Sequence, residues 1–397
     1  MKTLATYLFI VMTLLPFSAL SQDTVNTAQL ACAALKTQNL EYADSLADKA
    51  LSEKITPARL ALKADILYEM RQYAEAARYY TAADKAMAGT SKLKTAKSYT
   101  LAAMYDSAFA SLTAYCNIQD RVSSAKIAAD PDFEPLKSDS RWQNVLNQRD
   151  INPYQKDLES AEHLINTHRN GDAFVILNQV IKKHPSAHRA WYLRASAYYN
   201  DGNFKSALSD MEHAVKLRSR NSLYLNTMAE ILLAQNKYSK AAETWIMAIK
   251  ADEMAVDGFL GAAKSLLKSK DYQGAEKYSR LYLLMFQNNA EAVSVLSESL
   301  ACQGDCVSAL RVLNTMPAKN AAFYRSRGII YLQSETYQFA IDDFNRAIDL
   351  DRTLFDIYLH RGLAYYMLGK KDDAKRDWNT AVKNRVYKAN DYLEKYR

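Results

Sequence analysis

AWYLRASAYYNDGNFKSALSDMEHAVKL, residues 190–217, contains two helix-forming patterns separated by a short polar break. Trp191, Ala195 and Tyr198 recur at the spacing that places side chains on one face of a helix. Residues 200–203 interrupt that periodicity, and a second apolar set with helical spacing follows them. We therefore predict a hairpin of two helices, in which small residues such as Ala195 let the two backbones approach closely.

The same pattern returns along the chain at a nearly constant interval. The second-helix alanines that mark it are Ala173, Ala207, Ala241, Ala275, Ala309, Ala340 and Ala374. Every step between them is 34 residues except the step of 31 from Ala309 to Ala340. A fixed interval of this length indicates an array of stacked hairpins. At the short step, near residues 316–317, we expect that a turn has lost residues and that the stack kinks.

The quoted stretch fits W-x3-A-x2-Y-x3-G-x-F-x2-A-x3-M-x2-A, which resembles the tetratricopeptide repeat. In that family, each two-helix unit buries its faces against its neighbours, and the stack forms a superhelix with a concave groove. The resemblance implies an all-α fold, an α-solenoid of about ten hairpins in two modules. An N-terminal module of three hairpins would span residues 22–150, and a C-terminal module of seven would span residues 151–397.

Two segments are predicted to close these modules. Residues 129–148 resemble the tail that ends some bacterial arrays of this family, with the apolar residues Phe133, Leu136, Trp142 and Val145. We expect that tail to cover the last hairpin of the first module, whose turns lack the glycine typical of the family. After residue 381 the chain predicts a C-terminal capping helix. Residues 150–153 would join the modules, either within one superhelix or as a hinge.

Residues 1–21 predict a secretory signal peptide. A basic start precedes an apolar run over residues 4–15, and small residues then lead to a cleavage site before Gln22. The run is short for a membrane-spanning helix, which needs about 20 apolar residues. No cysteine lies close enough for a lipoprotein signal. We predict a bacterial protein of the exported type, periplasmic or secreted, with no integral membrane span after cleavage.

Composition argues against several classes of function. The net charge is +7, but Lys and Arg alternate with Asp and Glu, so no nucleic-acid partner is predicted. The chain has only 10 glycines, without a phosphate-binding loop, and no serine in a G-x-S-x-G context. We therefore predict no enzyme activity and no cofactor. His184 and His188 flank Pro185 and need not share a helix face, so no metal site is predicted either.

The four cysteines lie in two different contexts. Cys302 and Cys306 flank Gly304 at a predicted turn, and in an exported chain they could form a disulfide or remain thiols. Cys32 and Cys116 are predicted to be small buried residues on helix faces. The sequence alone does not decide the oxidation state of the first pair.

A binding groove is implied by the family resemblance. In this family, first-helix positions outside the packing pattern face the concave groove. Here those positions hold Arg189, Tyr192, Ser196, Tyr199, Asn226, Glu230, Leu233 and Lys264. We predict a non-enzymatic exported scaffold that binds a protein or peptide there, with association to a membrane complex as one setting. The alternative is an envelope protein that binds carbohydrate on exposed aromatic side chains.

Overall fold

The structure, a computed structural model, describes residues 24–86, 91–118, 122–147, 154–316 and 318–396. Within these ranges the chain is helical and contains no strand, which confirms the predicted all-α class. The predicted signal peptide, the joint at residues 150–153 and Pro317 lie outside them. Among the described helices, none combines the length and apolar character that crossing a membrane requires.

Helices of the first part of the chain pair into three antiparallel hairpins. These are α1 (Thr27–Lys36) with α2 (Leu40–Glu53), α3 (Pro57–Glu69) with α4 (Tyr73–Ala86), and α5 (Lys92–Leu101) with α6 (Tyr105–Cys116). A closing segment follows, made of α7 (Ser124–Ala128), a 3-10 helix (Pro131–Leu136) and α8 (Arg141–Leu146).

Seven further hairpins and a terminal helix make up the rest of the described chain. They are α9 (Gln155–Asn166) with α10 (Asn170–Lys183), α11 (His188–Asn200) with α12 (Phe204–Leu217), α13 (Ser222–Ala234) with α14 (Tyr238–Ala251), α15 (Gly258–Lys268) with α16 (Tyr272–Met285), α17 (Ala290–Cys302) with α18 (Cys306–Leu313), α19 (Ala321–Gln333) with α20 (Tyr337–Leu350), α21 (Asp356–Met367) with α22 (Lys371–Lys383), and finally α23 (Ala389–Lys395).

One turn conformation joins the two helices of every described hairpin. The second residue after the first helix takes a positive φ, and the N–H of the residue that follows it bonds the carbonyl five residues earlier, which ends the helix. These residues are Gln38, Arg71, Ala103, His168, Gly202, Asn236, Lys270, Gly304, Glu335 and Gly369. In the first module, for example, Asn39 N donates to Ala34 O at 2.9 Å. The early hairpins therefore use the family's turn without its glycine.

The short repeat has lost residues from a helix. Helix α18 has only 8 residues, whereas the equivalent helix α20 has 14. We expected a shortened turn at this place, and that prediction was wrong. After the early end of α18, Met316 is buried against the same hydrophobic core as Leu313, so the chain fills the missing part of the helix with irregular backbone.

Both predicted closing segments cover the hairpin before them. Phe133, Leu136, Trp142 and Val145 are all buried in one cluster with residues of α6, as predicted. At the other end, Tyr392 of α23 and Tyr396 just after it lie over the fully buried Trp378, with ring centroids 5.6 Å and 5.8 Å away. These segments shield apolar faces that terminal hairpins would otherwise expose to water.

Three hairpins are each crosslinked by an arginine and a buried aspartate sixteen residues apart. The pairs are Arg194–Asp210, Arg327–Asp343 and Arg361–Asp377. In each pair, Nε and Nη2 donate to the two carboxylate oxygens, a bidentate geometry that strengthens the contact. The hairpin of α17 and α18 holds apolar residues, Leu296 and Val312, at the equivalent positions. The same structural position therefore holds an ion pair in some hairpins and apolar side chains in another.

Glycine lets two of the hairpins close tightly on an aromatic ring. A Cβ atom added at Gly328 would lie 2.6 Å from the Phe344 ring, and one added at Gly362 would lie 2.5 Å from Nε1 of Trp378. Both rings are fully buried. The predicted close approach of the two helices is therefore confirmed at these hairpins.

Helix α1 packs against a distant part of the array as well as against α2. Its Ala28, Ala31 and Cys32 belong to one core cluster that also contains residues of α15 and α16. Cys32 Sγ donates to Met254 O at 3.7 Å, and Lys36 pairs with Asp257. Arg59 of α3 adds contacts of 3.2–3.4 Å to the carboxylate of Glu253. The repeat pattern of the sequence did not predict this contact between distant hairpins.

Candidate functional site

The first helices of neighbouring hairpins lie side by side. Helix α9 contacts α11, and α11 contacts α13; farther along, α15, α17, α19 and α21 contact one another in series. We call this set the inner row. Stacking of the repeats in chain order produces it, because the first helix of one hairpin then lies next to the first helix of the following hairpin. All eight predicted groove residues lie on α11, α13 and α15 of the inner row.

Two of these residues are engaged with neighbouring repeats. Arg189 Nη2 donates to Glu162 Oε2 at 2.8 Å, so its charge is compensated by the preceding first helix. The ring of Tyr192 stacks on Tyr224 with centroids 4.8 Å apart and an interplanar angle of 19°. Both side chains are half-buried and hold consecutive repeats together. Tyr192 still presents part of its ring to solvent.

Ser196 and Tyr199 continue along the same helix and make local contacts. Ser196 Oγ donates to the backbone carbonyl of Tyr192 at 3.0 Å. The Tyr199 ring packs against Phe204 at the start of the second helix, with centroids 5.6 Å apart. These residues stabilise the hairpin, and their half-buried surfaces remain part of the inner row.

The next helices contribute Asn226, Glu230, Leu233 and Lys264. Asn226 Oδ1 is buried without a hydrogen bond from the described residues. Glu230 lies on the exposed side of α13, yet surrounding protein atoms desolvate it and raise its pKa, an effect that Lys264 opposes. Lys264 Nζ is 2.5 Å from Glu291 Oε1, and Leu233 is half-buried.

Sequence reasoning missed a polar group farther along the inner row. Glu298 lies 34 residues after Lys264, so extending the repeat register would have found it. Burial raises the pKa of Glu298. Arg325 Nε donates to Asp356 Oδ2 at 2.7 Å. Burial also lowers the pKa of the nearby His360 to about 4, so its ring is neutral at pH 7.

Three ion pairs join consecutive first helices of the inner row. The pairs are Glu162–Arg189, Lys264–Glu291 and Arg325–Asp356. Within the described residues, Glu230 and Glu298 make no ion pair. A ligand in the row would therefore meet two carboxylates without an ion-pair partner, together with several half-buried aromatic and aliphatic groups.

The two histidines considered for a metal site point to different partners. The ring of His184 packs on Tyr154 with centroids 4.6 Å apart, whereas His188 Nδ1 lies 2.8 Å from the hydroxyl of Tyr224. Over the described part of the chain, no group of three or more His, Cys, Asp or Glu side chains is placed to hold a metal ion.

All four cysteines are thiols. Cys32 and Cys116 are buried, as predicted. Burial raises the pKa of Cys32 to about 11, so its thiol stays protonated at neutral pH. Cys302 and Cys306 are half-buried, and Gln333 Nε2 donates to the Cys302 sulfur at 3.2 Å. The structure therefore shows the thiol alternative for this pair.

The aromatic side chains with the greatest exposure are spread along the molecule. Tyr42, Tyr105, Phe339 and Tyr387 lie on α2, on α6, on α20 and between α22 and α23, respectively. A carbohydrate platform made of exposed aromatics needs several such rings on one surface. These four belong to separate elements of the chain.

Family models match three segments of the chain. Models described as TPR repeat and tetratricopeptide repeat match residues 328–369 and 226–292, and the model for anaphase-promoting complex, cyclosome, subunit 3 matches residues 166–246. Mouse serine/threonine-protein phosphatase 5 is 29% identical over 152 residues, which are 38% of this chain and 24% of that protein. Human tetratricopeptide repeat protein 13 is 24% identical over 182 residues, 43% of this chain and 20% of that protein.

Among solved structures, the crystal structure of the APC/C hetero-tetramer Cut9–Hcn1 is similar with a TM-score of 0.42 and 12% identity. That comparison covers 92% of this chain and 94% of the other. The chain spans less than a quarter of the length of the curated relatives, so their activities are not transferred to it. The family-model matches support a tetratricopeptide repeat protein, with its repeats recognised at residues 226–292 and 328–369.

Proposed function

We propose that this chain is a non-enzymatic, exported scaffold that binds a protein or peptide along its inner row. The observation that carries the proposal is the side-by-side contact of first helices from consecutive hairpins. It combines residues of several repeats into one surface, and binding by such arrays spreads contacts over several repeats. Leu223, which is 53% exposed, and the partly exposed Tyr192 offer apolar area there.

Export to the periplasm or the medium rests on the N-terminal sequence. A basic start, an apolar run and small residues before Gln22 have the composition of a cleaved signal. Expression of the full chain in a bacterial host and N-terminal sequencing of the exported product test this part. A mature chain that begins at Gln22 supports it. Retention of residues 1–21 in the cytoplasm contradicts it.

Binding is tested by combining Tyr192→Ala with Asn226→Ala. We expect the double variant to bind its partner at least about tenfold more weakly, because hot-spot truncations cost more than about 1 kcal/mol each. The bait is residues 22–397, and the partner is captured from envelope extract, identified by mass spectrometry, purified and titrated by calorimetry.

A matched control replaces exposed tyrosines outside the inner row, Tyr42→Ala with Tyr387→Ala. Circular dichroism must show that both double variants melt like the parent, since Tyr192 also stacks on Tyr224. Equal recovery of one partner by the parent and the Tyr192→Ala/Asn226→Ala bait would place the binding site elsewhere on the molecule.

A further inference from the structure

A cavity lined largely by charged and tyrosine side chains lies among the first three hairpins, outside the inner row used in the proposed function. Its volume is about 440 Å³. Pockets that hold small molecules usually measure about 300–1,000 Å³. The groups that dominate its lining are Asp65, Tyr68, Tyr80, Lys94, Lys97 and Asp132. They come from α3, α4, α5 and the 3-10 helix, so the cavity exists only when these elements are assembled.

Asp65 organises one side of the cavity. The Tyr80 hydroxyl and Lys94 Nζ both donate to Asp65 Oδ1, each at 2.5 Å. Both contacts fall on one carboxylate oxygen, and no donor among the described residues bonds the second oxygen, Oδ2. Tyr80 is almost fully buried, which fixes the position of the group.

Asp132 repeats this arrangement on the opposite side. The Tyr68 hydroxyl donates to Asp132 Oδ2 at 2.7 Å, and Lys97 Nζ lies 3.1 Å from the same oxygen. Lys97 also pairs with Asp130 at 2.6 Å. Again one carboxylate oxygen takes both contacts, and no described residue donates to the other. The cavity thus contains two sets of tyrosine, aspartate and lysine with the same connectivity.

The two tyrosines and Lys97 keep fixed protonation states near neutral pH. Burial, followed by the neighbouring aspartates, raises the pKa of Tyr68 and of Tyr80, so both hydroxyls remain donors. Burial alone would lower the pKa of Lys97, but its bonds to Asp130 and Asp132 raise that pKa overall. Each lysine charge is therefore compensated by a carboxylate that already contacts it.

These contacts determine which ligands the cavity suits. A cation or an anion would gain little from Asp65, Asp132, Lys94 and Lys97, since ion pairs already neutralise these four charges, and the remaining lining carboxylate, Glu69, is exposed to solvent. A hydroxyl group can donate to an open carboxylate oxygen and accept from a lysine N–H, and charge-assisted bonds of this kind are strong. Leu35 and Gln38 line the cavity on the α1 side and the 3-10 helix lines it on the other, so a compact ligand fits better than an extended chain.

We propose that this cavity binds a compact, neutral, polyhydroxylated molecule of the size of a mono- or disaccharide. Asp65 and Asp132 accept bonds from its hydroxyl groups, and Lys94 and Lys97 donate to its oxygens. The site is independent of the inner row, so a failure here leaves the scaffold proposal unaffected.

The test titrates the full chain with three disaccharides, maltose, trehalose and chitobiose, by saturation-transfer NMR and calorimetry. Spermidine and inorganic phosphate serve as the cationic and anionic probes. We expect saturable binding of at least one disaccharide at one site, with no displacement by spermidine or phosphate at the same concentration. Asp65→Asn with Asp132→Asn should weaken that binding at least about tenfold.

A blocking variant separates ligand contact from damage to the fold. Glu69 is exposed at the end of α3 and lines the cavity, so Glu69→Trp should abolish binding without disturbing the core. Glu75→Trp, on exposed α4 surface outside the lining, is the matched control and should bind normally. Failure of all three disaccharides to bind, preferential binding of spermidine or phosphate, or equal binding by the two tryptophan variants would overturn the proposal.

Discussion

Replacing Asp377 by alanine is expected to destabilise the last hairpin by about 3 kcal/mol. Arg361 Nε and Nη2 each donate to this carboxylate at 2.7 Å, and the two side chains are only 16% and 7% exposed. Without Asp377, the guanidinium keeps its bond to Asn345 but loses the only carboxylate that it pairs with among the described residues. A mostly buried cation without a counter-charge is costly, because water no longer solvates it.

Hydrogen exchange of peptides from α21 and α22 measures this effect where it occurs. Terminal repeats can unfold separately from the rest of an array, so a global urea transition alone could hide the loss. Asp373→Ala is the matched control on the same helix. Asp373 pairs with Arg376 at the surface, where ion pairs contribute about 0–1 kcal/mol. Unchanged protection in Asp377→Ala would show that the buried pair does not stabilise the hairpin.

The double change Arg361→Leu with Asp377→Val should recover most of the loss. Leu296 and Val312 occupy the equivalent positions of another hairpin and are buried there. Replacing a buried ion pair by packed apolar residues is often neutral or stabilising, so we expect a result within about 1 kcal/mol of the parent. If the double variant were as unstable as Asp377→Ala, the apolar residues would not fit this hairpin, and the equivalence of the two positions would fail.

Replacing Gly362 by alanine is expected to destabilise the same hairpin by about 2 kcal/mol. The added Cβ atom would lie 2.5 Å from Nε1 of Trp378, a ring that is fully buried. Nε1 also donates to Leu359 O at 3.2 Å, which limits movement of the ring. Overpacking of a core costs about 1–3 kcal/mol, and the better helix propensity of alanine returns up to about 1 kcal/mol. Urea unfolding followed by tryptophan fluorescence, together with hydrogen exchange, measures the net change.

A double-mutant cycle identifies the steric cause. At the equivalent positions of another hairpin, Ala195 and Met211 are both buried, so alanine is compatible with methionine there. We expect Gly362→Ala and Trp378→Met together to be at least about 1 kcal/mol less destabilising than the sum of the single changes. Gly171→Ala is the control, since a Cβ atom there meets nothing within 4 Å. Strictly additive effects would contradict a clash between Gly362 and the ring.

The repeat pattern of the sequence predicted two features that depend on local apolar spacing, the helical hairpins and the closing tail of the first module. It identified the hairpins, because alanines such as Ala207 and Ala241 mark the buried face of each second helix. It also identified the closing tail, because Phe133 and Trp142 follow the last hairpin of the first group without a helical pattern of their own. Apolar spacing reports which face of an element is buried, and the structure confirms those faces.

The repeat pattern could not predict which side chains form ion pairs between repeats. Arg189 and Lys264 were predicted as groove residues, and both lie on the inner row, but each is paired with a glutamate of a neighbouring first helix. Such pairs depend on the rotation and offset between repeats, which a single-chain pattern does not encode. The residue pattern also does not explain why one hairpin has the ion pair Arg361–Asp377 where another has the apolar pair Leu296–Val312, since either pair can pack between the two helices.

The second contact surface of α1 had a sequence signal that was not used. The helix reads TAQLACAALK, with small or apolar residues on nearly every face. A helix that is apolar all round needs partners on more than one side. Applying that rule to Ala28 and Cys32 would have predicted a second packing partner, although not its location near Met254.

The contact of α1 with residues 252–259 changes how the molecule should fold. Cys32 and Met254 are 222 residues apart in sequence, whereas repeat arrays are stabilised mainly by contacts between adjacent repeats. An open array can lose its first hairpin without disturbing the middle. Here, release of α1 also removes packing from α15 and α16, so the N-terminal end and the centre should unfold as one cooperative unit. This long-range contact also raises the contact order of an otherwise local topology, which slows folding relative to an open array of the same length.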